Sequence, residues 1–370
     1  MVTGSELSET QVHQALATVI DPELRQPLTD LDMVDSVEAT DSLVRAVIAL
    51  TIVGCPASDR IERETRAALE SIADGRVVEV ELTVMDAARR SRLIERLRGS
   101  KTPQMVFGPE SLTRIVAITS GKGGVGKSTV TANLAALAAK RGRRVGIIDA
   151  DVFGFSIPQL FGAGEEKPTR IDDMILPPIA HEVKLMSIGM FVEKDTPVSW
   201  RGPMLHRTVN QFLTDVLYGD LDLLFVDLPP GTGDVAISLG QLLPHSDVVV
   251  VTTPQPSASD VAIRSALVAR QTGQRVVGVV ETMSAGTLPG GETVDLFGSG
   301  GGAEVAGKLE VPLLGTIPLS VPLREAGDRG TPVVLSHPDD PASVACAAVL
   351  DQLERTRESR VGTSLPVSPV

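Results

Sequence analysis

Cysteine and aromatic residues are scarce in this sequence. Its 370 residues include two cysteines, and aromatic side chains make up 3% of the chain. Two cysteines do not support a disulfide framework, which favours the cytoplasm as the compartment. Because apolar residues still make up 42% of the chain, the core must be filled mainly by aliphatic side chains.

Long apolar runs are also missing. No stretch of about 18 apolar residues is present, and the N-terminus carries no basic segment followed by an apolar one. We therefore expect neither a membrane span nor a signal peptide. The formal net charge is −13. Because such a surface repels phosphate backbones and anionic lipids, neither nucleic acid nor a membrane is an expected partner.

Two regions of different pattern predict two domains joined by a linker. Residues 1–88 predict a small α/β domain, with the order α-β-β-α-β. Residues 89–112 are basic and then marked by Pro and Gly, which predicts a short helix and a linker, with the basic run on a solvated surface. Residues 113–356 predict the second domain, and residues 357–370 a disordered tail. In the first domain, helices are predicted at 9–20 and 57–73, and strands at 32–38, 43–52 and 77–84.

Apolar strands alternate with helical segments in the second domain. Near-continuous apolar strands between helices are typical of a parallel sheet that is covered on both faces. We therefore predict an α/β fold of three layers, with a mostly parallel sheet between helices. The strands are predicted at 114–120, 143–150, 221–228, 246–253, 275–281 and 313–318, and the helices at 127–141, 204–217, 258–272 and 340–356.

A phosphate-binding motif connects the first strand and helix of this domain. It matches the P-loop pattern G-x-x-x-x-G-K-[ST]. Its glycines let backbone N–H groups surround phosphates, and the helix N-terminus adds partial positive charge. We expect Lys127 to contact the β- and γ-phosphates and the Ser128 hydroxyl to bind Mg²⁺. The predicted nucleotide-binding residues of this loop are Gly121, Lys122, Gly123, Gly124, Val125, Gly126, Lys127, Ser128 and Thr129.

Aspartates stand at the ends of two predicted strands. Asp149 and Asp151 lie at the end of one strand, and Asp227 lies at the end of the next. Ligands bind beyond the carboxyl ends of the strands in open parallel sheets, so these side chains are expected beside the phosphates. Asp227 is the candidate Mg²⁺ ligand, directly or through water. Asp149 either joins the site or only supports the loop.

Lys122 distinguishes this P-loop, because the variant K-G-G-V-G-K-[ST] has a second lysine after the first glycine. In this feature the chain resembles the deviant Walker A ATPases, a group that includes MinD, ParA, the nitrogenase iron protein and the Mrp-type iron–sulfur carriers. The resemblance implies that the nucleotide is ATP and that ATP closes a homodimer. It also implies that Lys122 reaches the partner's nucleotide and that Asp151 orients the attacking water, so Lys122, Lys127 and Asp151 are the candidate catalytic residues.

Further motifs resemble the Mrp family in particular. The N-terminal domain resembles the iron–sulfur assembly domain that precedes the ATPase in many bacterial Mrp proteins. The resemblance implies an ATPase that binds an iron–sulfur cluster and passes it to apoproteins, or assists cluster assembly, with apoprotein clients or assembly proteins as partners. The motifs are Asp149-Ala-Asp-Val-Phe-Gly-Phe-Ser-Ile-Pro158, Trp200-Arg-Gly-Pro-Met204, Asp227-Leu-Pro-Pro-Gly-Thr-Gly-Asp234, Thr253-Pro-Gln-Pro, Met283-Ser284 and Phe297-Gly-Ser-Gly-Gly-Gly302, with Asp21-Pro-Glu23 and Gly54-Cys55-Pro56 in the N-terminal domain.

Two features depart from the Mrp pattern. The family has Cys-Pro-x-Cys shortly after Asn-Met-Ser, whereas Leu288 and Gly291 stand at the cysteine positions here. Neither supplies a thiolate, so a 4Fe–4S cluster bridged by two such pairs across a dimer is not expected. Thr282 replaces the family's Asn, which resembles an adenine-contacting residue, and Thr has fewer hydrogen-bonding groups.

Cys55 is the remaining candidate ligand for a cluster. It precedes Pro56 at the expected start of a helix, where a thiol has a lowered pKa and reacts more readily. The alternative is a small buried residue. Cys346 is interpreted as a core residue. The glycine-rich stretch 284–302 is interpreted either as a mobile loop beside the site or as a flexible linker.

These features leave rival functions open. The first is an Mrp-type ATPase acting in iron–sulfur assembly. The alternative is a positioning or scaffold ATPase of the MinD or ParA kind, although the tail lacks an amphipathic pattern and the chain is acidic. An electron donor like the nitrogenase iron protein is disfavoured, because Cys346 is the one cysteine in the P-loop domain.

Overall fold

The computed structural model describes residues 7–98, 107–108, 111–151, 154–191, 202–287 and 293–356. These residues form two compact units. The first unit is built from described residues of 1–106, 167–179 and 213–219, and the second from those of 107–166, 180–212 and 220–370. Most of the predicted linker after residue 98 and the predicted tail lie outside the described residues.

The first unit confirms the predicted order of helices and strands. Its sheet has the order β1-β2-β3, with β1 and β2 antiparallel and β2 and β3 parallel. Helix α1 is shorter than predicted: it ends at Leu16, and just beyond it the Thr18 hydroxyl donates to the Ala15 carbonyl. The elements are α1 (Glu9–Leu16), β1 (Val34–Ala39), β2 (Leu43–Leu50), α2 (Ser58–Glu70), β3 (Val77–Val84) and α3 (Ala87–Arg98).

After α3 the chain continues into the elements of the P-loop region. In chain order they are β4 (Arg114–Ser120), α4 (Lys127–Lys140), β5 (Val145–Asp149), α5 (Ile157–Leu160), β6 (Thr169–Ile171), β7 (Met174–Leu176), β8 (Ile179–Ala180), β9 (Val183–Ser187), a 3₁₀ turn (Ile188–Phe191), α6 (Gly202–Thr214), β10 (Leu223–Asp227), α7 (Asp234–Leu242), β11 (Asp247–Thr252), α8 (Pro256–Gln271), β12 (Arg275–Ser284), β13 (Gly286–Thr287), β14 (Thr293–Val294), α9 (Gly301–Leu309), β15 (Leu313–Pro318), α10 (Val321–Asp328), α11 (Val333–Ser336) and α12 (Pro341–Arg355).

Eight of these strands form the main sheet, in the order β15-β12-β11-β4-β10-β5-β9-β8. Neighbouring strands from β15 to β9 run parallel. Strands β10 and β11 are buried along their whole length. Helices α4 and α12 pack together over the sheet, and α8 and α9 form a second group against it. The predicted three-layer α/β fold is therefore confirmed.

The β6–β7 hairpin was not predicted from the sequence. It lies between β5 and β9 in the chain, yet it belongs to the first unit. Its residues Ile171, Met174 and Leu176 are buried in the same apolar cluster as Val12 and Leu16 of α1. The first unit therefore completes its core with a segment from the P-loop region of the sequence.

Helix α3 carries the basic run. The sequence predicted a solvated surface here, but several of its arginines form ion pairs. The Arg89 side chain is 14% exposed and pairs with Asp35, with 2.5 Å between Nη1 and Oδ1. Arg90 and Arg98 each lie 3.0 Å from an aspartate of the β6–β7 hairpin. The aspartates come from distant parts of the sequence, so the local charge pattern could not reveal these pairs.

The described parts of the glycine-rich stretch 284–302 contain regular structure. Strands β13 and β14 pair antiparallel, and helix α9 begins at Gly301. Leu288 and Gly291, at the family's cysteine positions, lie outside the described residues. Among the described residues, no helix has the length and apolar content needed to span a membrane.

Candidate functional site

The P-loop lies between the end of β4 and the start of α4, as the sequence predicts. Gly124 and Gly126 have φ of 77° and 80°, a left-handed conformation that favours glycine. A Cβ at Gly121 would lie 2.3 Å from the backbone nitrogen of Ala262 in α8. Glycine at position 121 therefore allows α8 to pack against the loop.

Lys127 is buried at the base of the loop, between two of the predicted aspartates. Its Nζ lies 2.7 Å from Asp227 Oδ2 and 3.6 Å from Asp151 Oδ2. Asp227 ends β10, the strand beside β4, so the sheet brings its carboxylate under the start of α4. The three predicted residues therefore meet at the carboxyl edge of the sheet.

Two hydroxyl groups of α4 also bind Asp227. Ser128 Oγ donates to Asp227 Oδ2 at 2.5 Å, and Thr131 Oγ1 donates to Asp227 Oδ1 at 2.7 Å. Ser128 and Asp227 thus bring two oxygen ligands to one point, which is the donor chemistry that Mg²⁺ prefers. Thr131 was missed from the sequence, although it lies one helical turn after Lys127 and so faces the same way.

Asp149 lies directly beside Asp227, because β5 and β10 pair in register at these two residues. Its side chain is completely buried. Burial and the neighbouring Asp227 carboxylate raise the pKa of Asp149 well above its usual range, while Lys127 opposes the shift. Lys127 therefore interacts with Asp149 as well as with Asp151 and Asp227.

Lys122 is exposed, in contrast to Lys127. Its carbonyl accepts a hydrogen bond from Ser120 Oγ at 3.0 Å, which holds the backbone at the start of the loop. In the described part of the chain, its ammonium group pairs with no carboxylate. The side chain is therefore available to a group outside its own subunit.

Thr282 contacts the P-loop backbone. Its Oγ1 lies 2.6 Å from the Val125 carbonyl oxygen and 3.1 Å from the Thr252 carbonyl oxygen. A hydroxyl group has one hydrogen to donate, and these carbonyls take it. Thr282 therefore ties β12 to the phosphate loop, a role that the sequence could not indicate.

A cavity of about 400 Å³ opens beside the P-loop. Gly126 and Thr129 of the loop region line one side of it, and Thr282, Pro318 and Leu323 line another. Its position next to the phosphate loop and its size suit the nucleoside part of a nucleotide.

Cys55 is buried in the first unit, and the prediction of a reactive thiol is wrong. Its Sγ lies 3.8 Å from Glu23 Oε2, and helix α2 begins at Ser58, three residues further on. Burial, together with the nearby carboxylates of Glu23 and Asp21, raises the pKa of Cys55 to about 11. Among the described residues, no group of three or more His, Cys, Asp and Glu side chains is arranged to hold a metal ion.

Cys346 is 1% exposed and lies in the main apolar core, as predicted. Burial raises the pKa of its thiol to about 12. Neither cysteine of the chain therefore presents a thiolate at neutral pH.

Comparison with known proteins agrees with this geometry. A family profile described as NUBPL iron-transfer P-loop NTPase, of the ParA group, matches residues 111–354. A profile described as iron–sulfur cluster assembly protein matches residues 9–82. The iron–sulfur cluster carrier protein of Mycobacterium bovis is 50% identical over 367 residues, which cover 97% of this chain and 96% of the relative. The chain belongs to the Mrp family of iron–sulfur cluster carrier ATPases.

More distant Mrp relatives retain the whole length. The iron–sulfur cluster carrier protein of Deinococcus radiodurans is 39% identical over 355 residues, covering 95% of this chain and 97% of the relative. Among solved structures, the nucleotide-binding protein of Archaeoglobus fulgidus in complex with ADP is 38% identical, with a TM-score of 0.52. The match covers 59% of this chain and 86% of the Archaeoglobus chain. The chain is thus similar to an iron–sulfur cluster carrier protein over nearly its whole length and to a solved nucleotide-binding protein over 59% of it.

Proposed function

We propose that this Mrp-family chain is a Mg²⁺-dependent ATPase that works as a homodimer in the delivery or assembly of iron–sulfur clusters. One observation carries the ATPase part: Lys127, Ser128, Asp151 and Asp227 meet at the carboxyl edge of the sheet, around the start of α4. Each of these side chains has a distinct task in phosphoryl transfer.

The triphosphate binds to the P-loop backbone from Gly121 to Thr129. The left-handed glycines curve the loop so that its N–H groups point inward, and the N-terminus of α4 attracts negative charge. Lys127 turns from Asp227 toward the β- and γ-phosphates, a short movement for a flexible side chain. Binding thus exchanges a carboxylate partner for a phosphate partner.

Ser128 Oγ and Asp227 are the residues that would hold Mg²⁺. A cation bound by them would neutralise negative charge on the phosphates during hydrolysis. Thr131 keeps the other Asp227 oxygen occupied and so fixes the orientation of the carboxylate.

Asp151 orients the attacking water. Its carboxylate lies close to Lys127, and hence close to the position of the γ-phosphate. The water oxygen bonds to the γ-phosphorus while the bond to the bridging oxygen breaks, which releases ADP and phosphate. One proton of the water stays on the phosphate and the other passes to solvent. A carboxylate that accepts a hydrogen bond from the water directs its lone pair at the phosphorus.

The 400 Å³ cavity takes the nucleoside, and the ADP in the Archaeoglobus relative supports an adenine nucleotide. The exposed Lys122 completes the site of the partner subunit, so that bound ATP joins two chains. Apoprotein clients or assembly proteins are the proposed further partners.

The names of the relatives support the iron–sulfur part of the proposal. The two cysteines do not fit as cluster ligands, because both are buried and burial raises the pKa of both thiols. We therefore assign the chain the role of an ATP-driven factor in cluster delivery and derive no step in which its own thiolates bind the cluster.

Nucleotide binding and hydrolysis test the ATPase part. We expect Mg²⁺-dependent release of phosphate from ATP by the wild type. Lys127→Ala removes a charged hydrogen bond to phosphate and should weaken ATP binding by about 10- to 100-fold, measured by calorimetry. Lys140→Ala, at the other end of α4, is the matched control and should bind normally. Wild-type protein that binds no nucleoside triphosphate would refute the proposal.

Cluster delivery is tested with an apo-ferredoxin acceptor under anaerobic conditions. We expect MgATP to accelerate the appearance of the acceptor's cluster absorbance when wild-type protein is present. Iron and sulfide are measured on the protein after reconstitution, with Cys55→Ala beside the wild type. An equal rate of cluster transfer with and without ATP would show that ATP hydrolysis has no role in delivery.

A further inference from the structure

In the part of the chain that the structure describes, Asp149 accepts three hydrogen bonds. Its Oδ1 accepts from the Asp151 backbone N–H at 3.2 Å. Its Oδ2 accepts from Ser187 Oγ at 3.0 Å and from the Ile157 backbone N–H at 3.4 Å. Because protein donors occupy both oxygens, this carboxylate is poorly placed to bind a metal ion or a phosphate-bound water.

The three donors lie at well-defined places in the fold. Asp151 and Ile157 are the two ends of one segment, which follows β5 and leads into α5. Ser187 ends β9, the strand next to β5 in the sheet. One carboxylate thus holds both ends of the segment that carries Asp151, and it does so against the rigid edge of the sheet.

A second contact holds the middle of this segment to the same place. Ser187 Oγ, which donates to Asp149, also accepts from the Gly189 backbone N–H at 3.1 Å. A Cβ at Gly189 would lie 2.4 Å from Cδ2 of Phe155, so the ring of Phe155 rests on the backbone of Gly189. The hydrogen bonds and the ring contact therefore meet at the end of β9.

We propose that Asp149 is a positioning residue for hydrolysis: it holds the Asp151 backbone and the first residue of α5, Ile157, so that the Asp151 carboxylate stays near Lys127. This inference rests on the proposed ATPase function. It assigns Asp149 an effect on the chemical step and little effect on nucleotide binding, because its hydrogen-bond donors Asp151, Ile157 and Ser187 lie outside the P-loop. Asp151 acts on the water, and Asp149 acts through Asp151.

Asp149→Asn tests the inference with the least change in shape. A neutral amide has one acceptor oxygen for three donors, and its NH₂ group faces a donor. A shift of Asp151 by about 1 Å is expected to lower kcat by roughly 10- to 100-fold. The KM for ATP and the Kd for a non-hydrolysable analogue should stay within about threefold of the wild type.

Ser187→Ala supplies a second, milder variant in case Asp149→Asn does not fold. It removes one of the three donors and the link to Gly189, so kcat should fall by about fivefold, with KM again unchanged. Asp247→Asn is the matched control. Asp247 is also buried and pairs with Arg114 and Arg275. It lies at the amino end of β11, the end of the strand that is away from the P-loop. The Asp247→Asn substitution should lower the melting temperature and leave kcat unchanged.

The outcomes separate this inference from the proposed function. Wild-type protein without ATPase activity would overturn the proposed function itself. An active wild type, with Asp149→Asn and Ser187→Ala variants that keep their kcat, would overturn the positioning role alone. Loss of nucleotide affinity in step with kcat would also overturn it, because Asp149 would then act on binding.

Discussion

Lys127 and Asp227 form an ion pair of 2.7 Å that is almost sealed from solvent, with 5% and 0% of their side chains exposed. When Lys127 turns to a phosphate, Asp227 keeps the hydroxyl groups of Ser128 and Thr131 but loses its cationic partner. An unpaired buried carboxylate is costly. Mg²⁺ at Ser128 and Asp227 would restore the balance of charge, so metal and nucleotide should bind together.

This relationship predicts a strong dependence of ATP binding on Mg²⁺. Removal of the metal with EDTA should weaken ATP binding by about 10- to 100-fold, because Asp227 then has neither Lys127 nor a cation. Calorimetric titration of ATP with and without Mg²⁺ measures the difference. Equal affinity in both conditions would show that Asp227 is not a metal ligand.

Lys122→Ala should lower turnover more than binding. The side chain is exposed and lies at the edge of the loop, so the subunit's own nucleotide keeps Lys127 and the backbone N–H groups. We expect kcat to fall by at least about tenfold, with the Kd for ATP within about threefold of the wild type. Mixing the Lys122→Ala protein with the Asp151→Asn protein should restore part of the activity. In a mixed dimer, the subunit that keeps Asp151 receives the intact Lys122 of the other subunit. Parallel losses of binding and turnover would contradict a role across the dimer.

Asp151→Asn should preserve ATP-bound dimers and slow hydrolysis. The amide keeps the size of the side chain, but it orients the water less well than a carboxylate. Dimers are measured by light scattering after addition of MgATP, and turnover by phosphate release, with an expected loss of about 100-fold. Unchanged turnover would remove Asp151 from the mechanism.

Thr282→Val should weaken the binding of all nucleotides to the same extent. The variant removes the hydroxyl that binds the Val125 and Thr252 carbonyls, so the P-loop loses a support whatever base is bound. We expect the ratio of the ATP and GTP affinities to stay constant within about twofold. A marked change in that ratio would show that Thr282 contacts the base.

Cys55 should react slowly with alkylating reagents in the folded protein. Its pKa of about 11 lies above its ordinary value of 9.0, so at pH 8 the thiolate is roughly 100-fold rarer than in the unfolded chain. Folding stabilises the protonated thiol, and this contribution is complete below pH 9 and declines as the pH rises through about 11. Iodoacetamide labelling at pH 8, with and without urea, measures the contrast. Equal rates would contradict the burial of Cys55.

The P-loop and the parallel sheet could be predicted because their signals are local. The loop needs particular residues in one contiguous stretch, from Gly121 to Ser128, and buried strands show as short apolar runs. Asp151 and Asp227 were found for the same reason, since a strand end is visible in the sequence and the topology places such ends at one edge. Their contacts with Lys127 followed from the fold.

Other features escaped prediction because they depend on residues far apart. The β6–β7 hairpin is too short to show a clear period, and its apolar residues are buried by helices of another part of the chain. Thr282 and Val125 lie 157 positions apart, and Cys55 and Glu23 lie 32 apart. In each case a distant partner decides what the side chain does.

By itself, the sequence determined the class of fold, the phosphate loop and the absence of the family's cysteine pair at positions 288 and 291, because each is written in neighbouring residues. The tertiary structure alone decided which groups are charged, buried or held in place: the raised pKa of Cys55, the support of the P-loop by Thr282 and the three hydrogen bonds of Asp149. The physical reason is that burial and hydrogen bonding depend on distances in space, which only the folded chain defines.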